Sequence, residues 1–216
     1  IDLSYCNYVE VEGIRLFAAA ISMMGSKFCV IDACDQKYHE HFEDTDGYSA
    51  TFTHRLNYVS GNNNVWRNSR ISHAAGDGIR LDGEYNVIDN MLIHDINYSG
   101  GWFAGVMGEP GFNSGGVEDR YNTNPEIIST CNNVTVTGST IFNVGRNAIL
   151  HHKTGRFDIT YNDLSHASKL VKDCGLTSTF GTDGKGSTIA FNWLHDNIGT
   201  YTVGVYLDCF NQNYNI

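Results

Sequence analysis

Two aspartates in the last third of the chain are of the residue type that can cleave a glycosidic bond, and short predicted strands could position both of them. Asp173 stands in the run DCG and Asp208 in the run LDC. Hydrolysis of such a bond needs one carboxylic acid that protonates the leaving oxygen and one carboxylate that acts as nucleophile or as base for water. Two carboxyl groups close together also push each other's pKa values apart, which separates the two roles. Asp173 and Asp208 are therefore the candidate catalytic pair, with turn capping as the structural alternative.

Three short runs with alternating apolar residues supply the strands that would position this pair. They are GIRLD (78–82), NAILH (147–151) and GVYLD (204–208). Their last residues, Asp82, His151 and Asp208, would share one edge if the runs stack in successive coils about 4.8 Å apart. Asp173 opens the coil between the last two runs, so we expect it about 5 to 9 Å from Asp208. His151 and His152 are then candidates for orienting a substrate hydroxyl or carrying its proton, and Asp82 is a further candidate for binding substrate.

The chain repeats one structural unit. The segments RFDITYNDLSH and GSTIAFNWLHD superimpose with Ile159 on Ile189 and Asn162 on Asn192. The same pattern also matches earlier segments of the chain. Together the matches give five equivalent aliphatic positions, the anchors of the repeat, separated by 22, 48, 23 and 30 residues: Ile71, Ile93, Ile141, Leu164 and Leu194. This spacing indicates a coil of about 22 residues with two insertions, and repeats of that length are typical of a solenoid, a propeller or an array. The paired asparagines, with Ser139 below them, predict a hydrogen-bonded ladder between coils.

The composition of the repeated unit decides among the repeat folds. Short β-rich pieces are joined by Asn, Gly, Ser and Asp turns, and no ten-residue stretch has a helical period, which excludes helical solenoids. Propeller blades need roughly 40 residues each and antiparallel hairpins, whereas two or three short strands per ~22 residues fit a parallel coil. The sequence therefore predicts an all-β chain that forms a right-handed parallel β-helix. Only LFAAAISMMG (16–25) offers a short helix as the alternative to another coil.

The bulk composition limits the size and the partners of the protein. With 216 residues the chain is long enough for a single domain, residues 1–216, with a sizeable core. Its 24 acidic against 14 basic residues disfavour nucleic acid, an anionic membrane and, unless a local basic patch intervenes, a polyanionic substrate. No apolar run reaches the ~20 residues of a membrane span. Because an open coil exposes apolar interior, we expect a fragment of a longer chain, or terminal coils covered by its missing parts or by another subunit.

Cysteine and metal-ligand patterns give one positive expectation. The six cysteines lack the CxxC or Cys/His spacing of a zinc site. Cys174 and Cys209 directly follow the candidate aspartates, and a coil spacing of ~4.8 Å permits a disulfide between them, with buried thiols as the alternative. Such a bridge would imply an oxidising compartment, so we expect a secreted or periplasmic protein. One polar segment holds six residues of the types that bind metals, at spacings that match no metal site, which favours a surface loop. They are His39, Glu40, His41, Glu43, Asp44 and Asp46.

A long insertion at about 97–126 is rich in Gly and aromatic residues. Insertions in a solenoid cluster on one face of the coil stack, and this is often the binding face. Trp102, Phe103 and Phe112 are therefore candidates for stacking on a sugar ring, with Trp102 as the expected substrate-binding residue. The alternative is that these side chains only pack the loop onto the coil.

The run DCGLTSTFGTDGKGSTIAFNWLHDN, followed by GVYLDCFNQNY and preceded by NVGRNAIL, resembles the bacterial right-handed parallel β-helix repeat proteins associated with polysaccharide degradation. The likeness covers about residues 57–216. That group would have Asp-Gly-Gly and Leu-Asp-Asn where this chain has DCG (173–175) and LDC (207–209). It contains glycosidases, lyases and members with no assigned reaction.

The resemblance implies a glycoside hydrolase that cleaves a polysaccharide or oligosaccharide through Asp173 and Asp208 without a cofactor. The first alternative is a polysaccharide lyase acting on a uronic-acid polymer, which needs a base and neutralisation of the uronate by Arg or Ca²⁺. The basic residues available for it are Arg146, Lys153, Arg156, Lys169 and Lys172. The second alternative is a non-catalytic carbohydrate-binding or structural β-helix, which predicts aromatic residues in a groove but no close carboxylates.

Overall fold

The computed structural model describes residues 1–40, 57–110 and 130–216, and these residues form a right-handed parallel β-helix, as the repeat spacing predicts. Each coil passes in turn through three sheets, and every strand pair in them is parallel. Phe112 and positions 41–46 of the polar segment lie outside the described residues. The expectation of a surface loop with no metal site therefore stays a prediction for positions 41–46, whereas His39 and Glu40 at the start of that segment are buried.

The strands of the described ranges divide among the three sheets as follows. The first sheet contains β1 (Glu10–Glu12), β3 (Val30–Asp32), β6 (Val65–Arg67), β9 (Val87–Asp89), β12 (Val134–Thr137), β15 (Phe157–Thr160), β18 (Asp183–Ala190) and β21 (Gln212–Asn215). The second contains β2 (Arg15–Phe17), β4 (Asp35–Lys37), β7 (Arg70–Ala74), β10 (Leu92–Ile96), β13 (Thr140–Val144), β16 (Asp163–Ser165) and β19 (Trp193–His195). The third contains β5 (Tyr58–Val59), β8 (Ile79–Leu81), β11 (Ala104–Gly108), β14 (Asn147–His151), β17 (Cys174–Thr179) and β20 (Thr202–Leu207).

Inward-pointing aliphatic side chains stack in columns along the axis and form the core. Successive anchors of the predicted repeat pair in register from coil to coil: Ile71, Ile93, Ile141, Leu164 and Leu194. The first four are fully buried, because strand residues alternate between the core face and the outer face of a sheet. A second column on the first sheet also follows the predicted frame: Trp66, Ile88, Val136, Ile159 and Ile189. The predicted period and both insertions are therefore confirmed.

The predicted asparagine ladder lies at the turn between the first and second sheets. Nδ2 of Asn162 donates to the carbonyl oxygen of Val136 and to Oδ1 of Asn192, both at 3.0 Å. Oδ1 of Asn162 accepts the backbone N–H of Ser139 at 2.9 Å. Asn162 is buried, so these bonds satisfy polar groups that water does not reach. The ladder is a structural device that joins successive coils.

The run 16–25 does not form the helix that its Ala and Met content allows. Its first two residues end β2, and the backbone then turns at Ala18 with φ of 52°. Ser22 pairs with Asp2 as a parallel bridge, while Ile21 and Met23 on either side of it are fully buried. Tertiary burial of alternating residues therefore overrides the helix propensity of this segment. Across the described ranges there is no helix of the length and apolarity needed to cross a membrane.

Candidate functional site

A cavity of about 270 Å³ lies on the outer face of the third sheet, over β14, β17 and β20. Its volume is near the lower end of the range of small-molecule sites, about 300–1,000 Å³. Because side chains of a strand alternate, the cavity is lined by outward positions of these strands and by residues that flank them. The lining residues are Trp102, Arg146, Leu150, His152, Asp173, Ser178, Thr179, Phe180, Tyr206 and Asp208.

Both candidate catalytic aspartates line this cavity, and the hydroxyl of Tyr206 lies between them. Tyr206 donates a hydrogen bond of 2.6 Å to Oδ1 of Asp173. That bond raises the pKa of the Tyr206 phenol well above its usual value, and the nearby carboxylate of Asp208 adds to the effect. Tyr206 therefore remains a neutral hydrogen-bond donor at ordinary pH. Asp208 also accepts the backbone N–H of Cys209 at 2.8 Å, which orients its carboxyl group.

The positions of the two aspartates on their strands differ from the predicted positions. Asp173 directly precedes β17, whereas Asp208 directly follows β20, and these strands pair in register from Cys174 with Thr202 onward. The two aspartates therefore stand at opposite ends of the paired strands, and the prediction that they share one edge is wrong. The side chain of Tyr206 in β20 spans the space between them.

The predicted edge is also shifted by one residue in β14. Gly108 pairs with Leu81 on one side and with His151 on the other, so His151 is level with Leu81. His152, one residue further along the chain, is therefore level with Asp82. Because Leu150 pairs with Ser178 and Ser178 pairs with Tyr206, His152 is also level with Asp208. His152 lines the cavity, stacked on Phe180 with 5.9 Å between ring centroids.

His151 instead points into the core and cannot touch a substrate in this conformation. Its side chain is fully buried and stacks on Phe157, with ring centroids 5.4 Å apart. Burial, with a smaller contribution from His152, lowers the pKa of His151 to about 3, so the imidazole is neutral at ordinary pH. The expectation that His151 orients a substrate hydroxyl or carries its proton is therefore wrong, and only His152 keeps that candidate role.

Asp82 lies away from the cavity, in a buried polar contact. It accepts a hydrogen bond of 3.1 Å from the hydroxyl of Tyr58 and another from the hydroxyl of Thr130. Its relative exposure is 6%. These contacts satisfy the carboxylate inside the protein, and they give Asp82 a structural place rather than the predicted substrate-binding one.

The described part of the aromatic insertion contributes one wall of the cavity. Trp102 lines it, with its ring edge-on to His152 at a centroid distance of 6.3 Å. The guanidinium carbon of Arg146 lies 4.3 Å from the centre of the Trp102 ring. Phe103, by contrast, is buried against the coil, as the packing alternative predicts. Trp102 thus occupies a place where it can contact a ligand.

The basic residues required by the lyase alternative do not assemble around the cavity. Arg146 lines it, but Arg156 pairs with Asp158 at 2.9 Å on the exposed surface, and Lys169 bonds to Asn143. Within residues 1–40, 57–110 and 130–216, no three His, Cys, Asp or Glu side chains are arranged as a metal site. A role for Ca²⁺ therefore stays a prediction of the lyase alternative.

The predicted disulfide between Cys174 and Cys209 does not form. Cys174 is buried at the start of β17, level with Thr202, whereas the carbonyl of Cys209 accepts the N–H of Gly181 beyond the other end of that strand. Neither Cys174 nor Cys209 takes part in a disulfide. The two cysteines lie at opposite ends of the paired strands, as Asp173 and Asp208 do, so their sulfur atoms cannot meet. Without this disulfide, the cysteines no longer support an oxidising compartment.

Tyr206 and Phe180 are cavity residues that the sequence did not single out. Tyr206 stands at the outward position of the run GVYLD, between two residues that pack against the core, Val205 and Leu207. This alternation was the signal that could have placed its side chain on the same outer face as the cavity. Phe180 follows β17 directly, at the position level with Asp208.

The fold of this chain is found among solved structures. No protein-family model matches the sequence, and no curated protein matches it. The enzymatically active domain of bacteriophage CBA120 tailspike protein 2 superimposes with a TM-score of 0.60 and 12% identity, over 94% of this chain and 26% of that one. Full-length tailspike protein 2 from an Escherichia coli O157:H7 bacteriophage gives a TM-score of 0.51 and 12% identity, over 95% and 34%. These likenesses concern the fold, and this chain spans between a quarter and about a third of each tailspike chain.

Proposed function

We propose that this chain is a carbohydrate-active β-helix that hydrolyses glycosidic bonds of a polysaccharide or oligosaccharide through Asp173 and Asp208. The observation that carries the proposal is that one hydroxyl, that of Tyr206, is flanked by both carboxyl groups inside a cavity. A pair of carboxyl groups on one cavity is the arrangement that glycosidases use. The likeness to a tailspike domain described as enzymatically active supports a catalytic role, since it extends over 94% of this chain.

In the proposed reaction one aspartic acid gives its proton to the glycosidic oxygen as the bond from that oxygen to the anomeric carbon breaks. The other aspartate either attacks the anomeric carbon or takes a proton from the water that does. Tyr206 holds Asp173 in place by its hydrogen bond. Trp102 and Phe180 offer aromatic surfaces to the apolar face of a sugar ring, and His152 lies between them.

The chain itself supplies the acid and the base, so the proposed hydrolysis needs no metal and no cofactor. A lyase is the weaker proposal because, of the basic residues expected for it, Arg146 lines the cavity while Arg156 and Lys169 are engaged elsewhere. A polysaccharide substrate would be met outside the cytoplasm, and we retain a secreted or periplasmic location as part of this proposal.

Product analysis on a panel of neutral and uronic polysaccharides tests this function. A hydrolase generates a new reducing end and no new double bond, whereas a lyase generates an unsaturated sugar that absorbs ultraviolet light. We expect new reducing ends without that absorbance from at least one polymer or oligosaccharide. Unsaturated products would replace the hydrolase by the lyase. Binding without products across the whole panel would favour the non-catalytic alternative.

A further inference from the structure

One wall of the cavity carries a cation, Arg146, that forms no ion pair with any described carboxylate. Arg146 directly precedes β14, and its guanidinium carbon lies over the Trp102 ring, 4.3 Å from the ring centre. Its Nη2 makes one long contact, 3.5 Å, to the backbone oxygen of Asp173. Its Nε is buried and, in the described part of the chain, has no hydrogen-bond partner. A guanidinium carries five N–H donors, so most of the donor capacity of Arg146 is unused.

The geometry of Arg146 selects the kind of anion it fits. A guanidinium that is held against an aromatic ring presents a planar fork, which matches the two oxygens of a carboxylate. Asp173 and Asp208 already bring negative charge to the same cavity, and the whole chain has a formal net charge of −10. A densely charged polymer would be repelled by that field, whereas a single carboxylate placed at Arg146 would be attracted.

We propose that Arg146 and Trp102 form a subsite for a sugar that carries one carboxylate, such as a uronic or ulosonic acid, within an otherwise neutral saccharide. The proposal rests on the proposed function, because it takes the same cavity to be the saccharide site. Arg146 would bind the carboxylate through its free N–H groups while Trp102 supports the guanidinium from behind. Arg146 forms no ion pair with Asp173 or Asp208 in the described structure, so carboxylate recognition and bond cleavage would occupy separate parts of the cavity.

Matched small probes test the subsite. Methyl glucuronoside and methyl glucoside share a ring and differ in the carboxylate, and the methyl ketoside of N-acetylneuraminic acid represents the ulosonic acids. We expect at least one carboxylated probe to bind at low salt about 10- to 100-fold more tightly than the neutral glucoside, the range for a hydrogen bond to a charged group. Calorimetric or NMR titration of the full chain measures this ratio. Added salt should reduce the ratio.

Two variants of equal net charge assign the effect to one residue. Arg146→Gln should abolish the preference for the carboxylated probe. Arg156→Gln removes a cation that pairs with Asp158 on the exposed surface and should retain the preference. No preference in the unmodified chain, or a preference that survives in Arg146→Gln, overturns the subsite. These titrations need no turnover, so the subsite and the hydrolase can be tested separately. If the chain hydrolyses neutral saccharides but shows no preference for the carboxylated probe, only the subsite proposal is rejected. If binding depends on Arg146 but no saccharide is cleaved, only the hydrolase proposal is rejected.

Discussion

Tyr206 joins the two candidate catalytic aspartates, yet nothing in the sequence near it indicates that role. Its hydrogen bond to Asp173 connects residues that lie 33 positions apart. In a strand with alternating apolar residues, an outward tyrosine is indistinguishable from any exposed aromatic side chain. The phenol stays neutral because the hydrogen bond to Asp173 raises its pKa. Tyr206 can therefore donate to an ionised aspartate at ordinary pH.

His151 makes the fold sensitive to acid. Its folded pKa is lowered to about 3 by burial, whereas an unfolded histidine titrates near 6.5. Between these values the unfolded chain binds the extra proton, so stability present above pH 6.5 is lost as the pH falls, by about 1.4 kcal/mol per pH unit. Urea unfolding at pH 7, 5 and 4 measures the slope. His151→Leu should make the slope shallower, because the variant has no buried imidazole that must gain a proton on unfolding.

An unchanged slope in His151→Leu would contradict this account of the acid sensitivity. Carboxylates also titrate near pH 4, so the difference between the variant and the unmodified chain is the informative quantity.

At the scale of the elements, the sequence predicted the coils and the inward columns but misplaced one strand by a single residue. In β14, as in β8, β11 and β17 of the same sheet, every residue is buried, so burial does not alternate along these strands. The run NAILHH can therefore be aligned with GIRLD in two ways, and only the pairing of Ile149 with Val106 decides between them. This is why the sequence assigns to His151 the edge position that His152 occupies in the structure.

The asparagine ladder predicts a second measurable effect at this scale. Asn162→Ala removes two donor bonds at 3.0 Å and one acceptor bond at 2.9 Å in a buried turn. We expect the free energy of unfolding to fall by about 1–3 kcal/mol, since a buried polar group is left unsatisfied on each side. Asn215→Ala, at an exposed asparagine whose side chain donates to the carbonyl oxygen of Gly186, serves as the control and should cost less. Equal losses in both variants would mean that burial of the ladder contributes nothing.

At the scale of the whole molecule, the core could be predicted because each coil repeats the same local pattern, whereas the cavity could not. Its walls come from segments far apart in the chain, Trp102, Arg146, Asp173 and Tyr206, and three of these four lie in or beside loops whose length varies between coils. A repeat frame locates residues inside the sheets and says little about the loops that lie over them. Asp173 illustrates the limit, since its place before β17 depends on the path of the preceding loop.

A solenoid stabilises each coil through its neighbours, so the position of a substitution along the axis should matter. Ile141 is fully buried between Ile93 and Leu164 in the middle of the second sheet. Leu194 continues the same column but is only partly buried. Ile141→Ala should lower the free energy of unfolding by about 2–5 kcal/mol, and Leu194→Ala by clearly less. Urea unfolding of the 216-residue chain measures both changes in the free energy of unfolding. A larger loss for Leu194→Ala than for Ile141→Ala would contradict the placement of Ile141 in the middle of the column and of Leu194 at a less buried position.

The most direct test of the central claim is the turnover number of Asp173→Asn and Asp208→Asn on a saccharide that the unmodified chain cleaves. Each variant should lower turnover by about 10²- to 10⁴-fold, because a positioned acid or base contributes that much, while the unfolding midpoint stays close to that of the unmodified chain. Asp89→Asn, on the outer face of the first sheet and away from the cavity, should retain full turnover. Full activity in either cavity variant would contradict the assignment of Asp173 and Asp208 as the catalytic pair.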